Sequence, residues 1–561
     1  MASLIVAGEL RQAWGVRGTT KDLRVNGMTK SELSKALHNR KFQLAGALFA
    51  IQKKNVLIAD EPGCGKTIQA IGAVVGSKVT GSVLVIAPKT ACYVTWPAEL
   101  KRWLPTNDPI RIIGGNQTKL ERNRECQRML LWDMNHEEGR QWIIVSPNYV
   151  RYNIKTGQNG AFIYDRSGNK IIVPVREAIS AFLYIDWATI IVDEAHLTLA
   201  GATGNIKRQS AQSRGIRLLN VKSDGLRIAL SGTPFRGKHE NLWGILNWLE
   251  PQEYTSYWKW IKKHFTLYMD FAIGREVIGS IKSETNLAKE CSKLMIRRTK
   301  SQVAKDLPPK SYGGTPLFKG GPIAVWLPMF GVQRKAYEQM AREALAEIEG
   351  GTLMANGILA EIIRLKQFAN SYGYLDDDEV FIPRFPSNKL EWIIEFLNER
   401  GIDGNGVGSG KVVIASQFTK FIGLCANALT ERGIEFFALT GQTSSEDREL
   451  MQKMFQTSSL SPQVFLINTR AGGVSLTLDA ADDIIIVDST HNPDDQVQVE
   501  DRLHRISRMH KVTVWSLASS NSIDESVLRH THQMHKSLSK ILDGEGRVEM
   551  ARKMIAGGFY G

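Results

Sequence analysis

What most constrains the fold of this chain is how its apolar runs are built and spaced. NVLIAD (55–60), SVLVIAP (82–88), WIIVSP (142–147), ATIIVDEA (188–195) and LRIALSGTP (226–234) are short, rich in β-branched residues and bounded by turn formers. A second set follows: KVVIASQ (411–417), IEFFALTG (434–441), QVFLINT (463–469), DDIIIVD (482–488) and KVTVWSL (511–517). The apolar positions are continuous rather than alternating, so each strand is buried on both faces, as in a parallel sheet covered by helices. The first set ends near 234 and the second begins near 411, a separation that predicts two α/β lobes with parallel sheets.

Between the sets the sequence changes character. The Trp-rich stretch 241–265 has helical periodicity, and 332–348 and 358–375 are strong helix formers, so helical insertions are expected between the sheet clusters. Glycine-rich 401–410 is a loop or hinge. The expected division is an N-terminal extension (1–35), a first lobe (36–240), a helical insertion with an inter-lobe segment (241–310), a helical insertion of the second lobe (311–400), a second lobe (401–530) and a basic tail (531–561).

Composition enters as a filter. Apolar residues at 43% and charged residues at 23% exclude a disordered chain, a collagen and a coiled-coil rod. Lys and Arg number 71 against 57 Asp and Glu, a net charge of +14 that fits either a solvated basic surface or a polyanion partner, most often nucleic acid. The five cysteines form no CxxC pair, which argues against a structural zinc site and a disulfide framework. The apolar run at the N-terminus is short and lacks a basic leader, and FQLAGALFAI (42–51) is about half the length of a membrane span. The expectation is a soluble, intracellular protein without a membrane partner.

After the strand NVLIAD comes EPGCGKT, in which Gly63, Gly65, Lys66 and Thr67 open a helix. Glycines let backbone N–H groups curl round phosphate oxygens at a helix N-terminus, where the dipole favours anions. Lys66 would supply a point charge to the phosphates, and the Thr67 hydroxyl could ligate Mg²⁺. Asp60 stands where the GxxxxGK[ST] pattern has its first glycine, so the strict pattern is not met, and a glycine turn before a basic helix is the competing reading.

ATIIVDEAH sets Asp193 and Glu194 at the end of a buried strand, where unpaired carboxylates are costly. A Mg²⁺ ion would account for them: Asp193 would hold the metal through water, and Glu194 would orient or deprotonate the attacking water. A solvated strand end is the alternative. His196 is assigned no chemistry. Arg502 and Arg505, three apart on a predicted helix, face one way and could stabilise charge on a transferring phosphoryl group, although two such arginines alone would suit a solvated face.

The order and wording of these blocks resemble the Swi/Snf-type ATPases of helicase superfamily 2, from Gln43 to Arg505. DEPGCGKT (60–67) is similar to that family's own loop, which also carries Asp at the first position. IAPKTACYVTWPAELKRWLP (86–105) resembles its first DNA-contact motif, with Trp96, Glu99 and Trp103 in place. DEAH matches its metal motif, LSGTPFRGKHENLW (230–243) its coupling motif, and IRRTKSQVAKDLPPK (296–310) a family-specific segment near the lobe junction. SQFT (416–419), NTRAGGVSLTL (468–478) and DRLHRISR (501–508) match motifs of the second lobe. The chain departs from the family at Arg236-Gly237, at His491 before the Asn-Pro pair and at Ser507-Arg508, positions that bear on coupling and substrate preference.

The resemblance implies two tandem RecA-like lobes and a DNA-dependent ATPase. ATP would be held by Gln43, Gly63, Gly65, Lys66 and Thr67, with Mg²⁺ on Thr67 and Asp193. Catalysis would fall to Lys66, Asp193, Glu194, Arg502 and Arg505, the arginines closing on the nucleotide from the second lobe. Ser231, Thr233 and Gly472 would couple hydrolysis to movement. Lys89, Thr90, Ser416, Gln417, Thr469 and Arg470 would grip the phosphate backbone of double-stranded DNA with little sequence readout. With few residues outside these motifs the chain resembles a motor core without accessory domains, expected to act as a monomer. A duplex translocase that remodels protein–DNA complexes, forks or annealed strands is the leading reading. A strand-separating helicase and a DNA-binding scaffold with a dead ATPase are the alternatives. Residues 289–310 hold seven basic and two acidic side chains, which would serve as a brace between lobes or as phosphate contacts.

Overall fold

The computed structural model describes residues 30–542 except 78, 90, 105–107, 116, 136–138, 158–161, 166, 168–169, 176–177, 201–208, 236–238, 271–274, 283–286, 305, 356, 406–407, 442, 444, 458–461, 470–476, 491 and 505–509. The chain divides into two compact units: Ala304–Ser537 forms the second, and the residues up to Val303, with those from Leu538, are grouped in the first.

The first unit is built on a seven-stranded sheet. From one edge its order is Met295–Ile296, Asn55–Ile58, Val221–Leu230, Trp187–Val192, Gly81–Ile86, Arg140–Val145 and Ile110–Ile113. Every pairing is parallel. The central strands are buried nearly end to end, as their unbroken apolar runs require. Register matters most for function. Ile58 lies opposite both Leu230 and Ile296, and Val192 opposite both Ile86 and Ala229. The carboxyl ends of five strands are therefore level, and the residues that follow them emerge along one edge, where ligands bind in open parallel sheets.

The stretch 241–265 forms two helices, Leu242–Leu249 and Tyr257–His264, the first almost wholly buried in the core with Trp243 and Trp248. It then turns into an antiparallel hairpin, Phe265–Asp270 with Arg275–Ile281, whose Phe265, Leu267, Ile278 and Ile281 pack on that core.

The second unit carries an eight-stranded sheet. Its order is Thr315–Pro316, Ile323–Leu327, Val512–Ser519, Asp483–Ile486, Val412–Ser416, Val464–Asn468 and Phe436–Leu439, with Lys310–Gly313 beside the first half of Val512–Ser519. All pairings are parallel except that of Thr315–Pro316. Two expected helices end early. The stretch 332–348 is helical only to Glu343, because Ala344 takes a left-handed φ of 53° and Leu345–Ile348 pairs with Gly351–Met354. The stretch 358–375 is helical to Asn370, and Tyr372–Leu375 pairs with Phe381–Arg384. Cross-strand pairing overrides helix propensity in both. Among the described residues no helix is long and apolar enough to cross a membrane.

Candidate functional site

The loop after Asn55–Ile58 is held from three sides. Gly63 and Gly65 adopt φ of 83° and 78°, and Gly65 caps the helix Lys66–Gly76 in the left-handed region. A Cβ at Gly65 would lie 2.3 Å from Gln43 Nε2, so at this positive φ a side chain would be strained and would displace Gln43. Gln43, buried on the helix Lys41–Lys53, donates that amide to the Cys64 carbonyl at 3.0 Å and fastens the crest of the loop. Lys66 Nζ donates to the carbonyls of Asp60 at 2.9 Å and Glu61 at 3.4 Å, which fixes its ammonium over the loop.

Asp60 has a structural reason for replacing glycine. Its fully buried carboxylate accepts from Arg298 Nε at 2.9 Å and Nη2 at 2.5 Å, and from Gln69 Nε2 at 2.9 Å. Arg298 also donates to Gln69 Oε1 and to the Phe42 carbonyl. The neighbouring Arg297 donates to the carbonyls of Ala59 (2.7 Å) and Gly232 (2.9 Å), and the Lys300 amide donates to Glu61 Oε2. The basic segment 289–310 is thus in large part an internal brace. Arg297, Arg298 and Lys300 tie up the phosphate loop within the first unit. Lys310, in the second, pairs with Glu500 (2.9 Å) and Asp501 (3.3 Å). Burial works against the charge on Lys310, but these two carboxylates outweigh it and lift its pKa well above the usual lysine value.

Asp193 and Glu194 follow Trp187–Val192 directly. Asp193 Oδ2 accepts from Trp96 Nε1 and Oδ1 from the Glu194 amide, both at 2.9 Å. Trp96, expected in a DNA-contact motif, is fully buried and braces the carboxylate instead. Burial first, and the adjacent Glu194 charge second, push the Asp193 carboxyl up to about 6, against the Trp96 hydrogen bond and the Lys66 charge. Glu194 sits at φ 46°, a strained conformation for a side chain with a Cβ. His196 Nδ1 lies 2.8 Å from Ser231 Oγ and 3.3 Å from Glu194 Oε2, and the Thr233 amide donates to the same Ser231 oxygen at 3.2 Å. A Cβ on Gly232 would meet Pro62 of the loop at 2.7 Å. Gln43, Gly63, Gly65, Lys66, Thr67, Asp193, Glu194, Ser231 and Thr233 therefore converge at the carboxyl edge of one sheet.

These residues fit a divalent cation shared with a phosphate ligand. Among the described residues no group of three or more His, Cys, Asp or Glu side chains could hold a metal. Mg²⁺ needs no such cage: it binds through one or two protein oxygens plus phosphate and water. Asp193, whose ionised form is disfavoured by burial and by Glu194, and Thr67 are the candidates for such oxygens.

In the second unit Ser416 is buried at the end of Val412–Ser416 and Gln417 is half-buried. The Asp488 carboxylate organises both. It accepts from Ser416 Oγ, from the Gln417 amide at 3.0 Å and from Asn370 Nδ2 at 3.1 Å. Burial raises its pKa, against these hydrogen bonds and the charges of Lys389 and Lys366. The Thr469 amide donates to the Ser416 carbonyl at 3.0 Å, bringing Thr469 beside it. Lys89 is exposed in the first unit. Arg502 does not lie on a helix as expected. The helix Pro493–Glu500 ends before it, and Arg502 follows in a tight turn in which its amide donates to Val499. Thr90, Arg236, Gly237, Arg470, Gly472, His491, Arg505, Ser507 and Arg508 lie outside the described residues.

From sequence alone His196 carries no assigned chemistry, Arg297 and Arg298 count only as part of the basic segment 289–310, and Asp488 has no role beyond the end of its strand. A buried Asp60 in a glycine position demands a buried cation, and that demand is the one signal that points toward Arg298.

The model of the SNF2-related domain matches residues 20–374, and the helicase conserved C-terminal domain matches 388–507. The chain belongs to the SNF2-related family. Its two parallel sheets are the RecA-like lobes of this SNF2-related architecture. Human SWI/SNF-related matrix-associated actin-dependent regulator of chromatin subfamily A member 1 is 26% identical over 510 residues, covering 88% of this chain and 42% of that protein. Saccharomyces cerevisiae transcription regulatory protein SNF2 is 26% identical over 556 residues, covering 96% of this chain and 28% of that protein. The SNF2-related chain thus spans well under half the length of these relatives. The Sulfolobus solfataricus SWI2/SNF2 ATPase core in complex with dsDNA matches over 93% of this chain and 99% of that one, at 20% identity and a TM-score of 0.36.

Proposed function

We propose that the protein is a DNA-dependent ATPase that moves along double-stranded DNA and remodels what is bound or annealed to it. The observation that carries this reading is the convergence of Lys66, Asp193, Glu194, His196 and Ser231 at level strand ends, where hydrogen bonds and close contacts link Asp193 to Glu194, Glu194 to His196 and His196 to Ser231, and the Lys66 charge acts on Asp193. Family membership, and the regulator of chromatin and transcription regulatory protein among the named relatives, support it.

In this reading the loop amides and Lys66 bind the phosphates of ATP, and Gln43 keeps the loop in its binding shape. Asp193 and Thr67 hold Mg²⁺, which when bound neutralises phosphate charge. Glu194, at a left-handed turn beside His196, orients the attacking water and receives its proton. Arg502 and Arg505 are assigned to stabilising charge on the transferred phosphoryl group. Because His196 touches both Glu194 and Ser231, a change at the water-activating carboxylate is relayed to the Ser231–Thr233 turn. Ser416, Gln417 and Thr469, held as one group around Asp488, grip the DNA backbone with Lys89, Thr90 and Arg470.

The test is ATP turnover without DNA, with single-stranded DNA and with duplex, followed by strand and triplex displacement. Duplex-stimulated turnover with triplex displacement and no unwinding is expected. Unwinding of a tailed duplex would replace the translocase with a strand-separating helicase, and no turnover under any condition would leave a DNA-binding scaffold.

A further inference from the structure

Two stretches of the second unit meet around Arg502. One is 308–312, whose strand Lys310–Gly313 runs parallel to Val512–Ser519 with Lys310 opposite Val512. The other is 500–504, where the helix Pro493–Glu500 ends in a turn. Ahead of Arg502, Lys310 Nζ donates to Glu500 Oε2 at 2.9 Å and to Asp501 Oδ1 at 3.3 Å, and the Tyr312 hydroxyl donates to the same Glu500 oxygen at 3.3 Å. Behind it, His504 Nε2 lies 2.7 Å from the Pro308 carbonyl. A carbonyl only accepts, so this ring nitrogen carries the proton. Glu500, Asp501 and His504 are all buried. Between them the Arg502 amide donates to the Val499 carbonyl, and the Arg502 carbonyl accepts from the Leu478 amide at 3.0 Å.

Buried carboxylates are costly unless a cation meets them, so Glu500 and Asp501 are held to Lys310, whose own place is set by the register of its strand. A plain stabilising ion pair would need only Lys310 and one carboxylate. Here separate contacts on the two sides of one arginine come from a single short stretch of chain. A side chain reaches a fixed point only from a fixed backbone, and catalytic groups must be placed to within about 0.5 Å. The same region of sequence, 297–312, carries Arg297, Arg298 and Lys300, which hold the phosphate loop in the first unit, and the residues that hold the Arg502 turn in the second.

We infer that Lys310 and the pair formed by His504 with the Pro308 carbonyl are positioning elements for Arg502: they hold its backbone where the guanidinium can meet charge developing on the transferred phosphoryl group. The inference rests on the reading of Arg502 as a catalytic residue of an ATP-driven motor. An arginine that acts on charge present only in the transition state contributes to kcat and little to ATP binding. Disturbing its clamp therefore lowers kcat and leaves the KM for ATP nearly unchanged.

The experiment measures kcat and the KM for ATP at saturating duplex DNA. It compares wild type, Lys310→Met, His504→Leu, His504→Gln and Arg502→Ala, and Arg502→Ala combined with each of the first two. Lys310→Met and His504→Leu are each expected to lower kcat roughly tenfold, with the KM for ATP within about twofold of wild type. His504→Gln keeps an N–H donor for the Pro308 carbonyl and should recover most of that loss. In the Arg502→Ala background neither Lys310→Met nor His504→Leu should cost more than about twofold, because the group they position is gone. Losses that multiply with that of Arg502→Ala, a raised KM at unchanged kcat, no recovery by His504→Gln, or full kcat in both variants would overturn the inference and leave the motor reading standing. If Lys310→Met does not fold, the His504 variants decide the matter alone. Arg502→Ala with wild-type kcat removes Arg502 from the reaction and the inference with it. A wild-type protein that turns over no ATP with any DNA overturns the motor reading as well.

Discussion

Arg298 places two guanidinium nitrogens on the two carboxylate oxygens of Asp60, a residue 238 positions earlier in the chain, and both side chains are at most 2% exposed. The pair joins the phosphate loop to the strand at the sheet edge. Removing one partner leaves the other charged and buried, so Arg298→Ala and Asp60→Ala should each destabilise the first unit by about 3–5 kcal/mol, whereas the double substitution should cost much less than their sum. Arg298→Lys should not rescue, because an ammonium cannot fork onto both oxygens and also reach Gln69. Urea unfolding of the four proteins measures this. Additive losses would show that the two residues act independently.

The link from His196 to Ser231 and Glu194 predicts an effect on coupling rather than on folding. One hydrogen bond contributes about 1 kcal/mol net. His196→Ala is therefore expected to keep DNA affinity and most basal turnover while cutting duplex stimulation by about tenfold, a change of about 1.4 kcal/mol in the barrier. Turnover titrated with duplex separates the two quantities, and full stimulation in the variant would remove His196 from the relay.

Much of this arrangement was legible in the sequence because it rests on local rules. Continuous apolar runs identified buried parallel strands, and glycines before Lys66 identified the loop. Carboxylates at the end of a buried strand identified Asp193 and Glu194. What was not legible depends on contacts far apart in the chain. Nothing near Arg298 announces Asp60, and nothing near Asp488 announces Ser416 or Asn370. Leu345–Ile348 and Tyr372–Leu375 follow good helix formers, and only their hairpin partners make them strands. Trp96 shows the limit of motif reading: it matches its motif by position, yet its indole serves the buried Asp193.

Lys66 contributes charge at the loop of the first unit, whereas Ser416 and Gln417 belong to the second. Lys66→Ala should abolish ATP turnover and leave duplex binding at moderate salt unchanged. If backbone phosphates dominate that binding, the logarithm of its affinity should fall with the logarithm of salt by about 0.9 per phosphate contacted, with the same slope in wild type and variant. Fluorescence anisotropy across a salt series tests both points; a flat salt response would contradict phosphate-dominated binding.

The five cysteines are all buried and free. Burial foremost pushes the Cys64 thiol, inside the phosphate loop, up to about 12, and burial raises Cys92, Cys126 and Cys425 as well. The reactive thiolate is therefore scarce at neutral pH. Native protein at pH 8 should resist alkylation and keep its turnover in the presence of a thiol reagent, and all five thiols should react once it is unfolded. Rapid labelling of Cys64 in the native state would mean that the loop opens in solution.

Asp193 ties stability to activity with a sign that can be checked. In the folded protein its carboxyl is raised to about 6, above the unfolded value near 3.9, because burial and Glu194 oppose ionisation. A raised carboxyl contributes fully below the unfolded pKa, and its contribution is lost as pH climbs through the folded one. At pH 7 and above, with divalent metal chelated, the folded state therefore carries an ionised Asp193 that it disfavours. Asp193→Asn keeps the shape and an acceptor for Trp96 but removes that charge. The variant should be inactive yet more stable at pH 7.5 by an amount on the order of 1–2 kcal/mol, the gain shrinking toward zero as pH falls to 4. Thermal unfolding in EDTA across this range measures it, and a stability gain that grows at low pH would reverse the assignment.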